Sequence, residues 1–138
     1  MICDKIVHLL PENRQAFFEC FIANFADKFM WAYNDGYPEV PFGQVGWTFI
    51  IYLMAKYGGE THKASFYADK YLNGLPRFHE YFENEDSKYY CFEARVIERF
   101  LMYFGLVDSI VKKNVVRDSM EIRLSPIFAK VFEVDVRK

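Results

Sequence analysis

GLVDSIVKKNVVRDSMEIRLSPIFAKVF, Gly105 to Phe132, is the stretch whose reading decides the fold. Gly105 stops the apolar helix that precedes it, because glycine accepts the left-handed conformation that ends helices. LVDSIV is β-branched enough for a short strand, and KKNVVRDS is polar enough to turn. MEIRL then alternates Met120, Ile122 and Leu124 with Glu121 and Arg123. Two such strands around a basic turn make a hairpin. Ser125 stands as an N-cap and Pro126 as a first helical residue, so IFAKVF closes as a short helix.

Working upstream, a helix from about Ser87 to Phe104 sets Phe92, Val96, Phe100 and Phe104 on one buried stripe, with Ile97 and Leu101 beside them. Its opposite side carries Cys91, Ala94, Arg95, Glu98 and Met102. Before it come the acidic run ENED, read as a solvated loop, and a turn from Pro76 through RFHEYF. HKASFYADKYL is a helix capped by Thr61 and broken near Asn73-Gly74. VGWTFIIYLMAKYGG is a central helix, closed at Gly58-Gly59 by a left-handed glycine cap. GYPEVPFGQ, with two prolines and two glycines, is a loop that separates an N-terminal extension from the rest. That extension opens at Pro11 and Glu12 with an amphipathic helix, where Phe18, Phe21, Ile22, Phe25 and Phe29 recur at three- and four-residue steps, and it ends near Asn34-Asp35-Gly36.

At 138 residues the chain makes one domain, over residues 1–138, and a chain of this size can bury roughly 70% of its unfolded surface without a disulfide or metal staple. The three cysteines, Cys3, Cys20 and Cys91, have neither disulfide-framework nor zinc spacing, which fits a reducing cytoplasm. MICDKIVHLL is too short in its apolar part for a signal peptide, and WTFIIYLMA is half a bilayer span, so no membrane partner is expected. The net charge of -2 gives no general attraction to nucleic acid, but it is unevenly spread: 7 Lys and Arg face 12 Asp and Glu in residues 1–87, and 10 face 7 in residues 88–138.

This order of elements resembles the winged helix-turn-helix superfamily, particularly the MarR- and PadR-like regulators. The resemblance is carried by Gly105-Leu106-Val107, by the wing from Lys112 to Ser119, and by Ile122-Arg123-Leu124-Ser125-Pro126 with Phe128, Lys130 and Phe132. It covers Val45 to about Val134 in topology and the last third in motif. The chain departs from the family by inserting PRFHEYFENEDS between the second and third helices. The implied fold is mainly α with a small β-hairpin, an α+β class: a winged-helix module over residues 45–134, preceded by a helical extension and Pro/Gly loop over residues 1–44. The resemblance implies a non-catalytic DNA-binding protein of the transcriptional-regulator type; the alternative is a winged-helix protein-interaction module that does not bind DNA.

In the first case the partner is double-stranded DNA. Tyr89, Tyr90, Arg95 and Arg99 would face bases or phosphate from the third helix, and Lys112, Lys113 and Arg117 would hold the wing at the backbone. In the second the partner is a protein. Arg95, Glu98 and Arg99 are then a surface ion-pair cluster, and Lys112 and Lys113 a solvated hairpin tip. Glu98 within the reading face, and Glu83, Glu85 and Asp86 before it, oppose phosphate. The stripe of Phe18, Phe21, Phe25 and Phe29 is either core or the seam of a homodimer, and the regulator reading takes it as the seam, so a homodimer is expected. Trp31, Tyr33 and Trp47 are core or the lining of a small-molecule pocket.

Nothing in the sequence points to catalysis. His8, His62 and His79 sit in no metal or nucleophile motif, and Gly43-Gln-Val-Gly46 lacks the lysine of a phosphate loop, so no cofactor and no metal is expected. Cys91, near a helix start, is either a reactive thiol or an inert packing residue.

Overall fold

The computed structural model describes residues 14–33, 35–110 and 120–136. Helix α1 spans Arg14–Lys28 and α2 Trp47–Tyr57. A two-residue strand β1, His62–Lys63, leads into α3, Ala64–Gly74, and a 3-10 turn follows over Pro76–Tyr81. Helix α4 is α-helical over Glu85–Phe92 and runs on as a π-helix over Glu93–Met102. Strands β2, Val107–Ile110, and β3, Glu121–Leu124, precede the short α5, Phe128–Val131. The chain is thus mainly helical with one small antiparallel sheet, in the order β1-β3-β2.

Helix α4 is the axis of the core. Phe92, Val96, Phe100, Phe104, Ile97 and Leu101 are all buried, as their four-residue recurrence predicts. They meet Ile50, Ile51, Leu53 and Met54 of α2, and Tyr67, Ala68, Tyr71 and Leu72 of α3. The opposite side of α4 does not face solvent as the amphipathic reading has it: Cys91, Ala94 and Arg95 are also buried. The reason is the segment after α1. Rather than separating an extension from the rest, the loop around Gly43 lies directly on α4. A Cβ on Gly43 would come within 2.8 Å of the Val96 side chain, and its φ of +87° is a conformation side chains disfavour. Phe42 is fully buried beside Phe78, Phe82 and Phe92, while the Tyr71 hydroxyl accepts from the Gly43 N–H at 2.9 Å and donates to the Val45 carbonyl at 2.6 Å.

Several element ends differ from the sequence reading for the same reason, that distant groups take the free backbone atoms. Helix α1 stops at Lys28, short of Asn34-Asp35-Gly36. The indole of Trp31 donates to the Phe25 carbonyl at 3.0 Å, and the Gln44 amide donates to the carbonyls of Ala26 and Phe29 at 2.9 and 2.6 Å. These side chains satisfy carbonyls that the last helical turn leaves without partners. At the end of α2, Gly58 is right-handed (φ -75°), not left-handed. Glycine is needed there for close approach: an added Cβ would lie 2.5 Å from Leu124, whose N–H donates to the Gly58 carbonyl at 2.9 Å. Thr61 does not cap α3, because His62 and Lys63 pair with Ile122 and Glu121 of β3, and the first N–H of α3, from Ala64, goes to the Met120 carbonyl.

The end of α4 follows the sequence reading closely. Gly105 has φ +70°, its N–H donates to the Met102 carbonyl, and the N–H of Leu106 reaches back to Leu101 at 2.8 Å. This is the glycine-closed Schellman pattern. β2 and β3 pair antiparallel with Val107 opposite Leu124 and Ile110 opposite Glu121. The closing helix is shorter than the sequence reading has it: α5 starts at Phe128 with Ile127 at the cap position. Ser125-Pro126 form the turn before it, where the Ser125 hydroxyl donates to the Gly105 carbonyl and accepts the Ile127 N–H.

Candidate functional site

Arg95 and Asp35, 60 positions apart, form the most heavily bonded polar cluster in the described part of the molecule. The Arg95 Nε donates to Asp35 Oδ2 at 2.5 Å, and Nη2 donates to Asp35 Oδ1 at 3.1 Å and to the Pro38 carbonyl at 2.8 Å. Nη1 donates to the carbonyls of Val40 at 2.9 Å and Phe42 at 3.5 Å. A guanidinium has five N–H donors, so every one is spent. The Arg95 side chain is 0% exposed and that of Asp35 1%. Burial by itself would raise the Asp35 pKa, but the Arg95 hydrogen bonds, the Tyr37 N–H and the two guanidinium charges outweigh it and hold the carboxyl below its ordinary value. Arg95 has no edge left for a base or a phosphate, nor is it part of a surface ion-pair cluster with Glu98. It pins the loop over residues 35–42 to α4.

Arg99, one turn further on, serves the same segment from outside. Its Nη1 donates to the Trp31 carbonyl at 3.1 Å and reaches the Tyr33 carbonyl at 3.5 Å, and it lies 3.8 Å from Asp35 Oδ2. Its side chain remains 43% exposed. Two guanidiniums therefore share one carboxylate, and Asp35 is already doubly bonded to Arg95. Arg99 is left as the excess positive charge. It borders a cavity of about 350 Å³ walled by Phe25, Phe29, Tyr33 and Tyr103.

The opening turn of α4 has the opposite character. Asn84 caps it by accepting the Ser87 N–H at 2.8 Å, and Glu85 and Asp86 occupy the first turn, where carboxylates complement the helix dipole. Thus ENED is not wholly a loop: its last residues open the helix. The Tyr89 hydroxyl donates to Asp69 at 2.5 Å, and that bond, with burial, pushes its pKa up to about 12. Tyr90 is half-buried, and with Tyr89 it lines a hollow of about 340 Å³ together with Lys63, Ser65, Asp69 and Asp86. The buried Lys88 is bound to Glu85 at 2.6 Å and lies 3.2 Å from His79 Nδ1. Phosphate approaching this turn meets carboxylates first.

The four candidate DNA-contacting residues among the described ones therefore do not converge. Arg95 is interior, Arg99 serves the loop after α1, and Tyr89 and Tyr90 sit among acids. Lys112, Lys113 and Arg117 lie outside the described residues. The Phe stripe of α1 divides. Phe18 and Phe25 are half-buried against Phe104 and Phe100, whereas Phe21 and Phe29 are 40% and 54% exposed. Trp31 is core, its ring tilted at 33° and 4.7 Å from that of Phe100, and Tyr33 is 72% exposed. Burial pushes the Cys91 thiol up to about 12, further raised by Asp35 and opposed by Arg95 and Arg99, so it has packing character rather than that of a reactive thiol.

Among the described residues no three His, Cys, Asp or Glu side chains gather as metal ligands, and no helix is long and apolar enough to cross a membrane. No family model, curated protein or solved structure matches the chain.

Proposed function

We propose that this chain is a winged-helix protein-interaction module, one that binds a protein rather than reading duplex DNA. The order α2, β1, α3, α4, β2, β3, with β3 central in the sheet, supports the winged-helix part of that reading. α3 and α4 stand for the helix-turn-helix pair, with the 3-10 turn over Pro76–Tyr81 and the acidic opening of α4 between them. The connection between β2 and β3, which the winged-helix reading takes as the wing, lies outside the described residues. The observation that carries the interaction reading is the fate of Arg95. The best base reader on α4 is buried, with all of its donors bonded inside the protein. What α4 offers at its exposed opening is Glu85 and Asp86, beside the Tyr89–Asp69 bond. Such a surface repels the phosphate backbone that supplies most of the affinity in DNA binding.

A selection from random-sequence duplexes, run at low and at physiological salt, tests the proposal. The expected result is no enriched sequence. Sequence-blind binding at low salt, with a log–log salt slope of up to about -0.9 for each of the three wing cations, is compatible with contact by the wing alone. Enrichment of a defined duplex sequence that survives physiological salt returns the chain to the regulator reading.

A further inference from the structure

The exposed aromatic side chains are not scattered. Of the eight large hydrophobic residues that are exposed among the described ones, Phe21, Phe29, Tyr33 and Tyr103 belong to one surface. Phe29, Tyr33 and Tyr103 wall the cavity beside Arg99, with half-buried Phe25 as a further wall, and Phe21 adjoins it through Phe104 at 5.8 Å. Phe25 stacks on Phe29 at 5.1 Å and on Tyr103 at 6.1 Å, and behind it lie Trp31, Phe100 and Phe104. The cavity floor is thus part of the rigid core, while its rim is free to meet a partner. Aromatic residues with arginine, and few Lys, Glu or Asp, make up the centres of protein interfaces, where Trp, Tyr and Arg carry most of the binding energy.

The charge at this surface restricts the occupant. Arg95 has claimed both oxygens of Asp35, so the Asp35–Arg95–Arg99 cluster carries one positive charge in excess, on the partly exposed Arg99. Its Nη1 is held by backbone carbonyls, which fixes the orientation of the guanidinium plane, and its Nε and Nη2 make no hydrogen bond among the described residues. A pre-oriented guanidinium edge set in an apolar wall suits a carboxylate whose neighbour is a large apolar group. Among the described residues the cavity wall carries no carboxylate, so a second copy of this patch offers Arg99 no counter-ion, whereas an acidic segment of another protein does.

We infer that this face is the docking surface of the interaction module, and that it takes a peptide segment of its partner in which an Asp or Glu lies next to a large apolar side chain. The carboxylate meets Arg99 and the apolar side chain enters the cavity between Phe25, Phe29, Tyr33 and Tyr103. This inference rests on the protein-interaction reading and names the partner's chemistry.

The test uses random twelve-residue peptides displayed on phage and selected on the full-length chain, with the enriched peptides resynthesised carrying fluorescein and titrated by anisotropy. The result expected is enrichment of sequences with Asp or Glu within four positions of Leu, Ile, Phe or Trp. Arg99→Gln and, separately, Tyr103→Ser should each weaken their binding at least tenfold, with Arg99→Lys recovering part of it. Tyr103 is 67% exposed and bonds no loop carbonyl among the described residues, so its replacement keeps the test sound even where Arg99→Gln loosens the segment after α1. No enrichment, enrichment without an acid, or binding indifferent to both variants overturns the inference. A wild-type dimer at micromolar concentration in sedimentation that Phe29→Asp or Tyr103→Ser dissociates gives the face to a second copy and also overturns it. Failure of the peptides without selective DNA binding removes only this inference, whereas a selected duplex sequence removes the interaction reading whichever peptides are enriched.

Discussion

Replacing Arg95 with methionine separates a structural arginine from a reading one. In the wild type the guanidinium is 0% exposed and neutralises a carboxylate that is itself 1% exposed. Methionine fills much the same volume but leaves Asp35 buried with only Arg99, at 3.8 Å, for a counter-ion, and strips donors from the carbonyls of Pro38, Val40 and Phe42. Removing one partner of a buried ion pair costs about 3–5 kcal/mol, because the other charge stays behind uncompensated. Unfolding entropy of about 2.1 cal/mol/K per residue, over 138 residues, comes to ~0.29 kcal/mol/K, so the loss lowers the melting temperature by ~10–17 °C. Thermal unfolding followed by circular dichroism measures it. The double variant Arg95→Met with Asp35→Asn removes the orphaned charge as well, and its cost should fall short of the sum of the single costs by ~1–3 kcal/mol. A melting temperature for Arg95→Met within about 2 °C of wild type would refute the reasoning, since only an arginine free in solvent can be lost at so small a cost.

The same pair sets an acid limit. The folded-state pKa of Asp35 is lowered, so the stability it contributes is complete above the unfolded value of about 3.9 and is lost as pH falls through the folded value. The melting temperatures of wild type and Asp35→Asn should therefore differ by a constant amount above about pH 5 and draw together as pH falls below about 4, and a gap that stays constant into acid would contradict the assignment. Cys91, with its thiol raised to about 12, should resist thiol reagents at pH 8 in a Cys3→Ser, Cys20→Ser background until the protein unfolds, as a colorimetric thiol assay would show. Gly43→Ala forces a side chain into Val96 at 2.8 Å and into a left-handed backbone, and should cost about 1–3 kcal/mol in denaturant unfolding.

Much of the chain's second half was legible because its signals are local. Gly105 ends a helix by its own conformational freedom, Ile122 alternates into the core, and Ser125-Pro126 turns the chain through hydrogen bonds within a few residues. What sequence reading missed are the long-range bonds. β1 exists because His62 and Lys63 meet β3, and two residues carry no strand signal of their own. Arg95 looked like a surface arginine on the less apolar side of α4. Its partner, Asp35, sits in an Asn-Asp-Gly turn signal 60 positions earlier, and no periodicity links the two. One local hint existed: Cys91 and Ala94, both small and apolar, flank Arg95 on that side, more in keeping with a covered helix face than a solvated one. The loop that covers it, GYPEVPFGQ, reads as punctuation from its prolines and glycines, but Phe42 and Gly43 make it part of the core.

The Nε–H of Arg95 gives the most direct test of the claim that this residue holds the fold together and does not read DNA. Its resonance can be followed by nitrogen–proton correlation NMR with and without a random-sequence duplex at low salt. A buried Nε–H bonded to Asp35 at 2.5 Å should exchange with water orders of magnitude more slowly than a free guanidinium, and should keep its shift when duplex is added. Rapid exchange in the free protein, or a saturable shift on titration with DNA, would place Arg95 at a nucleic-acid surface and contradict the account.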